Sequence, residues 1–439
     1  MIETDTINYY EENNDMIKFF FRKIPIIFMI LIFFNGFLNN FINIGNLFFG
    51  TLLIDTFYIL LCIYTIIIIL HKGKITINVS NVILSILLLL FIVRVIFDPE
   101  NTMYNKILSF RDKIFYMLIF IFIQNFIFSI EDIRKIKKWL LRFSTIISIF
   151  GILQFLLRDH LSLNLLTPKS DALFSYYGTN IIRATGLVGN PIIFANFELL
   201  FYSIFLTRFL NRANVLNAIY LIITMLALIF TFSRASYLGA FIITLIIFLI
   251  YYYKYISKSL KTYMLIFFML ILIILSILIF NKYLLNSFIF KGLILGNNLS
   301  VQGSNNGHLK LILTSLRIIK DNWLFGTGLG TQGRNLQSQF FNTDGAWLST
   351  IIEVGIPMFI VYLLFMLNSI ILVFKAIKKI SCLKDVSIGF IVFGIYEILI
   401  ANIVNSSYFG KIFYIMYWFI FGIIISEYKL KINEIRWTR

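Results

Sequence analysis

Charge is what this sequence has least of. Only 13% of its 439 residues are charged, whereas a water-soluble domain of this size draws about a quarter of its residues from Asp, Glu, Lys and Arg. That shortage excludes an extensive soluble surface. Cysteine is almost absent. Of the two present, Cys62 falls in an apolar run and Cys382 in a short polar loop, which points to neither a disulfide nor a thiolate metal site. Three histidines are too few for a His-rich metal centre, so no metal and no cofactor is expected. Residues 1–17 are polar and acidic, with no basic stretch before the first apolar segment, which is not the pattern of a cleavable signal peptide. No clear internal repeat is found, which counts against a transporter built from duplicated halves.

What is present is apolar length. Hydrophobic residues make up 59% of the chain and the mean hydropathy is +0.89. Runs such as Leu221 to Phe232, Leu238 to Tyr253 and Met264 to Phe280 extend with their flanks toward the roughly 20 residues a helix needs to cross about 30 Å of hydrocarbon. They lack the apolar–polar alternation of membrane-barrel strands. The predicted fold is all-α: a single polytopic bundle over residues 1–439. Its spans fall near 24–41, 51–70, 76–97, 114–130, 139–157, 191–210, 214–232, 235–253, 263–282, 346–374, 386–404 and 410–427.

The net charge of +17 follows topology. Basic clusters recur between every second pair of apolar runs, at His71 to Lys74, Arg134 to Lys138, Lys254/Lys258/Lys261 and Lys375 to Lys384. Positive-inside bias makes those short loops, and both termini, cytoplasmic. The basic balance is thereby accounted for, and no nucleic-acid partner is expected.

Two segments assigned to the outside break the rhythm of short loops, 158–190 and 283–345. Loops of this length usually carry function or disorder. Within the second, Leu309, Leu313, Leu316, Ile319 and Trp323 recur at helical spacing, with Lys310, Thr314, Arg317 and Asp321 on another face. A helix near 308–324 is too short and too charged to span. It is expected on the outer membrane surface or against the outer end of the bundle.

Candidate chemistry gathers on that side. Arg183, Arg234, Arg317 and Arg334 run against positive-inside bias, and their guanidinium forks suit phosphate oxygens. The plain alternative is headgroup snorkelling or a surface pair, such as Arg317 with Asp321 at i,i+4. The cluster Gly326-Thr327-Gly328-Leu329-Gly330 follows a helix, so it is no dinucleotide fingerprint, and it lacks the Gly-Lys-Ser/Thr of a Walker loop. It remains a turn whose amides could face an anion. Asp344, at the mouth of the span beginning near Ala346, is the candidate general base, with a helix N-cap as the alternative and no conflict between the two. Glu353 lies about two turns deeper. Glu198 and Glu397 fall inside spans, where pairing with hydroxyl, Asn or Arg partners is expected.

Four motifs then resemble one family. Thr231-Phe232-Ser233-Arg234-Ala235-Ser236-Tyr237-Leu238-Gly239 resembles the serine-arginine turn of the O-antigen ligase and O-antigen polymerase family. Arg183-Ala184-Thr185-Gly186 with Asn190-Pro191 precedes it. Asp321 to Gly330 follows, and then Asp344-Gly345-Ala346-Trp347-Leu348 with Glu353-Val354-Gly355-Ile356-Pro357. The resemblance implies a metal-independent membrane glycosyltransferase acting on undecaprenyl-diphosphate-linked sugars at the outer face of the bacterial cytoplasmic membrane. In the family, arginines from the outside loops engage the diphosphate, and Arg183, Arg234 and Arg317 are the matching positions. Taken with the reading of the residues above, Asp344, Arg234 and Arg183 are expected in catalysis, with Arg317, Arg334, Asn190, Gly326, Gly328, Gly330, Glu353 and His308 about the substrate. The ligase branch usually places a His-Asn pair nine residues before the Glu-x-Gly of the following span. Asp344 stands there, and His308 is too far upstream to replace it. That departure favours a repeat-unit polymerase, for O-antigen or capsule, over a ligase. A lipid-linked oligosaccharide flippase is the reading from another class. Expected partners are the lipid-linked glycans, membrane lipids, and a chain-length regulator and flippase of the same pathway.

Overall fold

In hydrocarbon every backbone N–H and C=O must find its partner within the protein, and a helix achieves this inside one segment. A computed structural model describes residues 23–35, 38–39, 43–44, 47–72, 79–98, 101–124, 126–127, 129–157, 183–254, 299–332, 343, 345–402 and 411–437. Apart from a two-residue antiparallel pair, Asn43–Ile44 with Leu47–Phe48, the regular structure described is helical.

The helices are α1 (Lys23–Phe33), α2 (Phe49–Lys72), α3 (Val79–Phe97), α4 (Met103–Lys113), α5 (Ile119–Gln124), α6 (Ile130–Leu156), α7 (Pro191–Asn211), α8 (Val215–Phe230), α9 (Arg234–Lys254), α10 (Leu299–Asp321), α11 (Ala346–Ala376), α12 (Lys384–Tyr396) and α13 (Lys411–Trp437). Five segments are long and apolar enough to cross a membrane: α3, α6, α7, α11 and the Ile412–Ile432 stretch of α13. Lys23–Phe33, Leu52–Ile67, Val215–Phe230 and Ala235–Tyr251 are shorter apolar helices. The chain is an α-helical membrane protein.

The structure departs from the twelve expected spans. The stretch 114–130 is no continuous helix. A 3₁₀ turn at Phe115–Leu118 leads into the six-residue α5, and α6 starts at Ile130, before the expected 139. Ser129 sets that start with a reciprocal capping box: its hydroxyl accepts from the Asp132 amide at 3.2 Å, and the Asp132 carboxylate accepts from the Ser129 amide at 2.9 Å. The expected span 263–282 lies outside the described residues, as do 158–182 of the first long outer segment and 283–298, 333–342 and 344 of the second. The surface helix begins earlier than expected, spanning 299–321 rather than 308–324.

The core is aromatic. Trp418 of α13 is fully buried, with Phe365 of α11 at 5.0 Å and Tyr417 at 5.2 Å between ring centroids. Centroid separations in this range are those at which aromatic pairs contribute beyond their area. The lipid-facing sides of α2, α3 and α8 carry exposed Ile and Leu such as Leu60, Leu89 and Ile222, as helices solvated by acyl chains must. Of the two intramembrane carboxylates, Glu198 meets the expected hydroxyl partner, Ser148 Oγ at 2.7 Å. Glu397 does not: it opens a π-helical turn, Glu397–Ala401, and neither carboxylate oxygen has a hydrogen-bond partner among the described residues. Asn402 donates to its backbone carbonyl instead.

Candidate functional site

The site is built from a broken helix outward. Within α11, Gly355 adopts φ 81°, ψ 168°. Two residues on, Pro357 has no N–H with which to reach the Glu353 carbonyl. The Ile356 amide turns away from Ile352 and donates to Trp323 O at 2.8 Å. Two carbonyls are thus stranded inside the helix, and the glycine cluster satisfies both. Thr327 N donates to Ile352 O at 2.6 Å and Gly328 N to Glu353 O at 3.1 Å. The fit needs glycine at two places. A Cβ on Gly326 (φ 69°) would stand 2.5 Å from Ile352 O, and one on Gly355 2.3 Å from Leu324 O. The glycine motif and the Glu-Val-Gly-Ile-Pro motif are two halves of one clasp.

This arrangement corrects the anion-cradle expectation for the glycine cluster. Gly326 N donates to Asn322 O, Leu329 N to Asp98 Oδ2 at 2.8 Å and Gln332 N to Glu353 Oε1 at 2.9 Å. The amides of Thr327, Gly328 and Leu329, which looked free in sequence, are consumed in docking the loop. Gly330 lies against the backbone of Asn105.

Under the clasp sits a charged network that sequence reasoning missed. Glu353 is fully buried, paired with Lys113 Nζ at 2.6 Å and accepting from Ser109 Oγ at 2.5 Å. Arg94 Nη2 donates to Glu353 O at 3.1 Å, and Arg94 Nη1 pairs with Asp98 at 2.9 Å. Lys106 Nζ donates to the Asp98 carbonyl, and Asn101 holds Leu329 O at 2.9 Å. Here α3 and α4 carry charge at positions where an intramembrane or boundary ion must be paired. That was the signal available: Arg94 interrupts an apolar run, and Lys113 borders one. Glu353, expected about the substrate, anchors this network.

The second half of the site is the turn between α8 and α9. Phe232 takes a positive φ of 49°, and Ser233 and Ser236 hydroxyls meet at 2.9 Å. Arg183 Nε donates to Thr231 O at 2.7 Å, and Ala184 N to Phe230 O at 2.9 Å. The segment is fixed from its other side by Gln154, whose Oε1 accepts from the Thr185 and Gly186 amides at 2.9 and 3.0 Å. Arg183 is therefore held three residues from Arg234. The Arg234 side chain lies outside the described residues. Asn190, expected at the substrate, spends its side-chain oxygen on the start of α7, accepting from Ile192 N and Ile193 N at 2.9 and 3.1 Å, with Pro191 at the first helical position.

Hydrogen bonds tie the two halves together. Tyr396 OH donates to Ala235 O at 2.8 Å, and Trp347 Nε1 to Ile398 O at 3.0 Å, joining the start of α9 to the start of α11 through the end of α12 and the π-helical turn that follows it. At that start Gly345 is the N-cap, its carbonyl accepting from Ser349 N at 2.9 Å. Asp344 stands one position before that cap. Asp344 itself and Arg334 lie outside the described residues, as does the His308 side chain.

Helix α10 presents three faces. Ser315 is buried against the body and Ile312 and Ile319 are half-buried. Leu309, Leu313 and Leu316 are at least half exposed along one flank, as is Trp323 just past the helix end, and Arg317 and Asp321 lie exposed on the other. These last two form no ion pair with each other among the described residues, so the surface-pair alternative for Arg317 is not met. An apolar flank beside a charged one is what a helix at a membrane interface carries.

A family model described as O-antigen ligase matches residues 219–363. Three of the four motifs named above fall within that segment, and Arg183 hydrogen-bonds into it. No curated protein matches the chain.

Proposed function

Starting from the O-antigen ligase segment at residues 219–363, we propose that this chain is a repeat-unit polymerase. It moves a growing glycan from undecaprenyl diphosphate to a sugar hydroxyl of an incoming lipid-linked repeat unit, at the outer face of the cytoplasmic membrane. The hydroxyl oxygen forms a bond to the anomeric carbon. The bond from that carbon to the diphosphate oxygen breaks, its electron pair leaving with the diphosphate, and the hydroxyl proton passes to a carboxylate. Asp344 is the base in this scheme. Arg183 and Arg234 bind the diphosphate and stabilise the charge it gains, an effect strengthened where water is excluded. Arg317, on the exposed flank of α10, meets the second lipid-linked substrate.

The observation that carries the reading is the Arg183 Nε bond to Thr231 O, which brings two arginines of separate motifs to one turn. Replacing Arg183 or Arg234 by Ala should reduce chain elongation by about 10² or more while protein levels hold. Normal polymer length in those variants would sink the clamp.

The name of the matched family favours a second reading, a ligase that moves finished polymer to another acceptor. A deletion strain separates the two. Loss of a polymerase leaves a single repeat unit attached to the acceptor, whereas loss of a ligase leaves long glycan on its lipid carrier.

A further inference from the structure

At the opposite end of the bundle, where the basic loops gather, the structure holds a cavity of about 750 Å³. Its wall takes cations from three separate elements. Arg134, Lys137, Lys138 and Arg142 come from the first turns of α6, Arg208 and Arg212 from the end of α7 and the turn after it, and Lys384 from the start of α12. One carboxylate, Asp385, lines it, and Lys137 Nζ already holds that at 2.5 Å. Arg134, Lys138, Arg208 and Arg212 form no ion pair among the described residues. Positive-inside bias explains cations at this end. It does not explain why seven of them enclose a concave space.

Nor does it explain the neutral framework that holds them. Asn214 caps α8 by accepting from Asn217 N at 2.8 Å. Asn217, itself nearly buried, donates to Arg212 O at 2.8 Å and accepts from Arg208 Nε at 2.8 Å. The turn is thus fixed around Arg208, whose two terminal amino groups keep their donors without an acceptor among the described residues. Five donors in a planar fork, paired only once, suit the oxygens of a phosphate. The surroundings say where that phosphate comes from. Leu216, beside Asn217, and Ile219 are exposed on α8 at 53% and 45%, and Trp139, beside Lys138, is exposed with Arg142 5.3 Å from its ring centroid. Apolar side chains and an interfacial Trp flank the cations, as at the level where headgroups meet acyl chains.

We propose that this cavity binds the phosphate headgroup of an anionic phospholipid of the leaflet facing the basic loops. Basic pockets between spanning helices on this side are suited to such headgroups. The site lies at the other end of the bundle from the glycan chemistry and does not depend on it.

The test uses the purified full chain in detergent, with phosphatidylglycerol, cardiolipin, phosphatidylcholine and inorganic phosphate as probes and retained lipid counted by native mass spectrometry. Cardiolipin and phosphatidylglycerol should bind at least tenfold more tightly than phosphatidylcholine. The triple variant Arg134→Gln/Lys138→Gln/Arg212→Gln changes exposed side chains and should lose roughly tenfold or more of that affinity. A control that removes equal charge at the same end but outside the cavity, Lys135→Gln/Lys375→Gln/Lys378→Gln, should stay within about threefold. If the triple variant fails to fold, Arg212→Gln alone, which leaves the Arg212 carbonyl to Asn217, must still weaken binding more than Lys375→Gln does. Equal loss in control and cavity variants would overturn the site in favour of diffuse surface charge, as would equal binding of phosphatidylcholine. Displacement of the lipid by millimolar inorganic phosphate would overturn the lipid as the source.

Discussion

The buried ion pair under the clasp gives the sharpest test of how the site is held. Lys113→Met removes the ammonium and keeps the length of the side chain. Glu353 then keeps two neutral donors, Ser109 Oγ at 2.5 Å and Gln332 N at 2.9 Å, and loses the cation at 2.6 Å. Both members of the pair are almost completely buried, so solvent does not compensate. Removing one partner of such a pair costs about 3–5 kcal/mol. At about 1.4 kcal/mol per decade this is roughly two to three and a half orders of magnitude in the folded-to-unfolded ratio. Glu353→Gln makes the reverse fault, a buried ammonium that has lost its carboxylate and keeps Ser349 O and Oγ at 3.3 and 3.4 Å, of similar size. The double variant Lys113→Met/Glu353→Gln should recover most of the loss and lie within about 1–2 kcal/mol of the parent. It leaves no buried charge unpaired, and the Gln oxygen can still accept from Gln332 N. The assay is SDS titration of the purified chain in mixed micelles, followed by tryptophan fluorescence. The reasoning fails if Lys113→Met costs no more than the roughly 1 kcal/mol of an ordinary substitution. It fails equally if the double variant loses the sum of the two single losses.

Three further outcomes follow from particular contacts. Gly355→Ala and Gly326→Ala should each open the clasp, because the added Cβ meets a backbone oxygen at 2.3 and 2.5 Å in a left-handed conformation; limited proteolysis between α10 and α11 should accelerate in both, and an unchanged rate would count against the clasp. Asp344→Ala should abolish chain elongation with thermal stability unchanged; a loss of about 1 kcal/mol in stability instead would give Asp344 a capping role. The Cys382 thiol is pushed above its ordinary value by burial, and next by the Glu427 carboxylate, which accepts from the amides of Ser381, Cys382 and Leu383 at 2.9, 2.7 and 2.8 Å. A raised value means less thiolate at pH 7–8, so maleimide should label Cys382 more slowly than a cysteine in the SDS-unfolded chain. The folded rate should still be climbing at a pH where the unfolded rate has levelled off, and equal rates at pH 7.5 would refute this.

How much of this was legible in the sequence depends on how far apart the partners lie along the chain. Spanning helices are readable because apolar length is a property of one contiguous segment, and α3, α6, α7 and α11 appear where the runs stand. The break within 114–130 was readable in principle: Ser129 and Asp132 carry a capping box, and Asp132 is an acidic residue at the third position of a helix that runs on to Leu156. The duty of the glycine cluster was not. Its amides look available for an anion until Gly355 and Pro357, in another element, strand the two carbonyls that take them. Locally, nothing distinguishes a loop that cradles phosphate from one that repairs a broken helix. The same distance hides Arg183 and Thr231, which lie 48 positions apart and meet at 2.7 Å. What survives in sequence is the order of the motifs, and the structure gives that order a physical reason. Arg183 is fixed to the α8–α9 turn, that turn to α12 through Tyr396, the π-helical turn after α12 to the head of α11 through Trp347, and α11 to the glycine loop through its stranded carbonyls. Each motif supplies one link in a chain of hydrogen bonds that ends at Arg183, so a change at any link should be felt there.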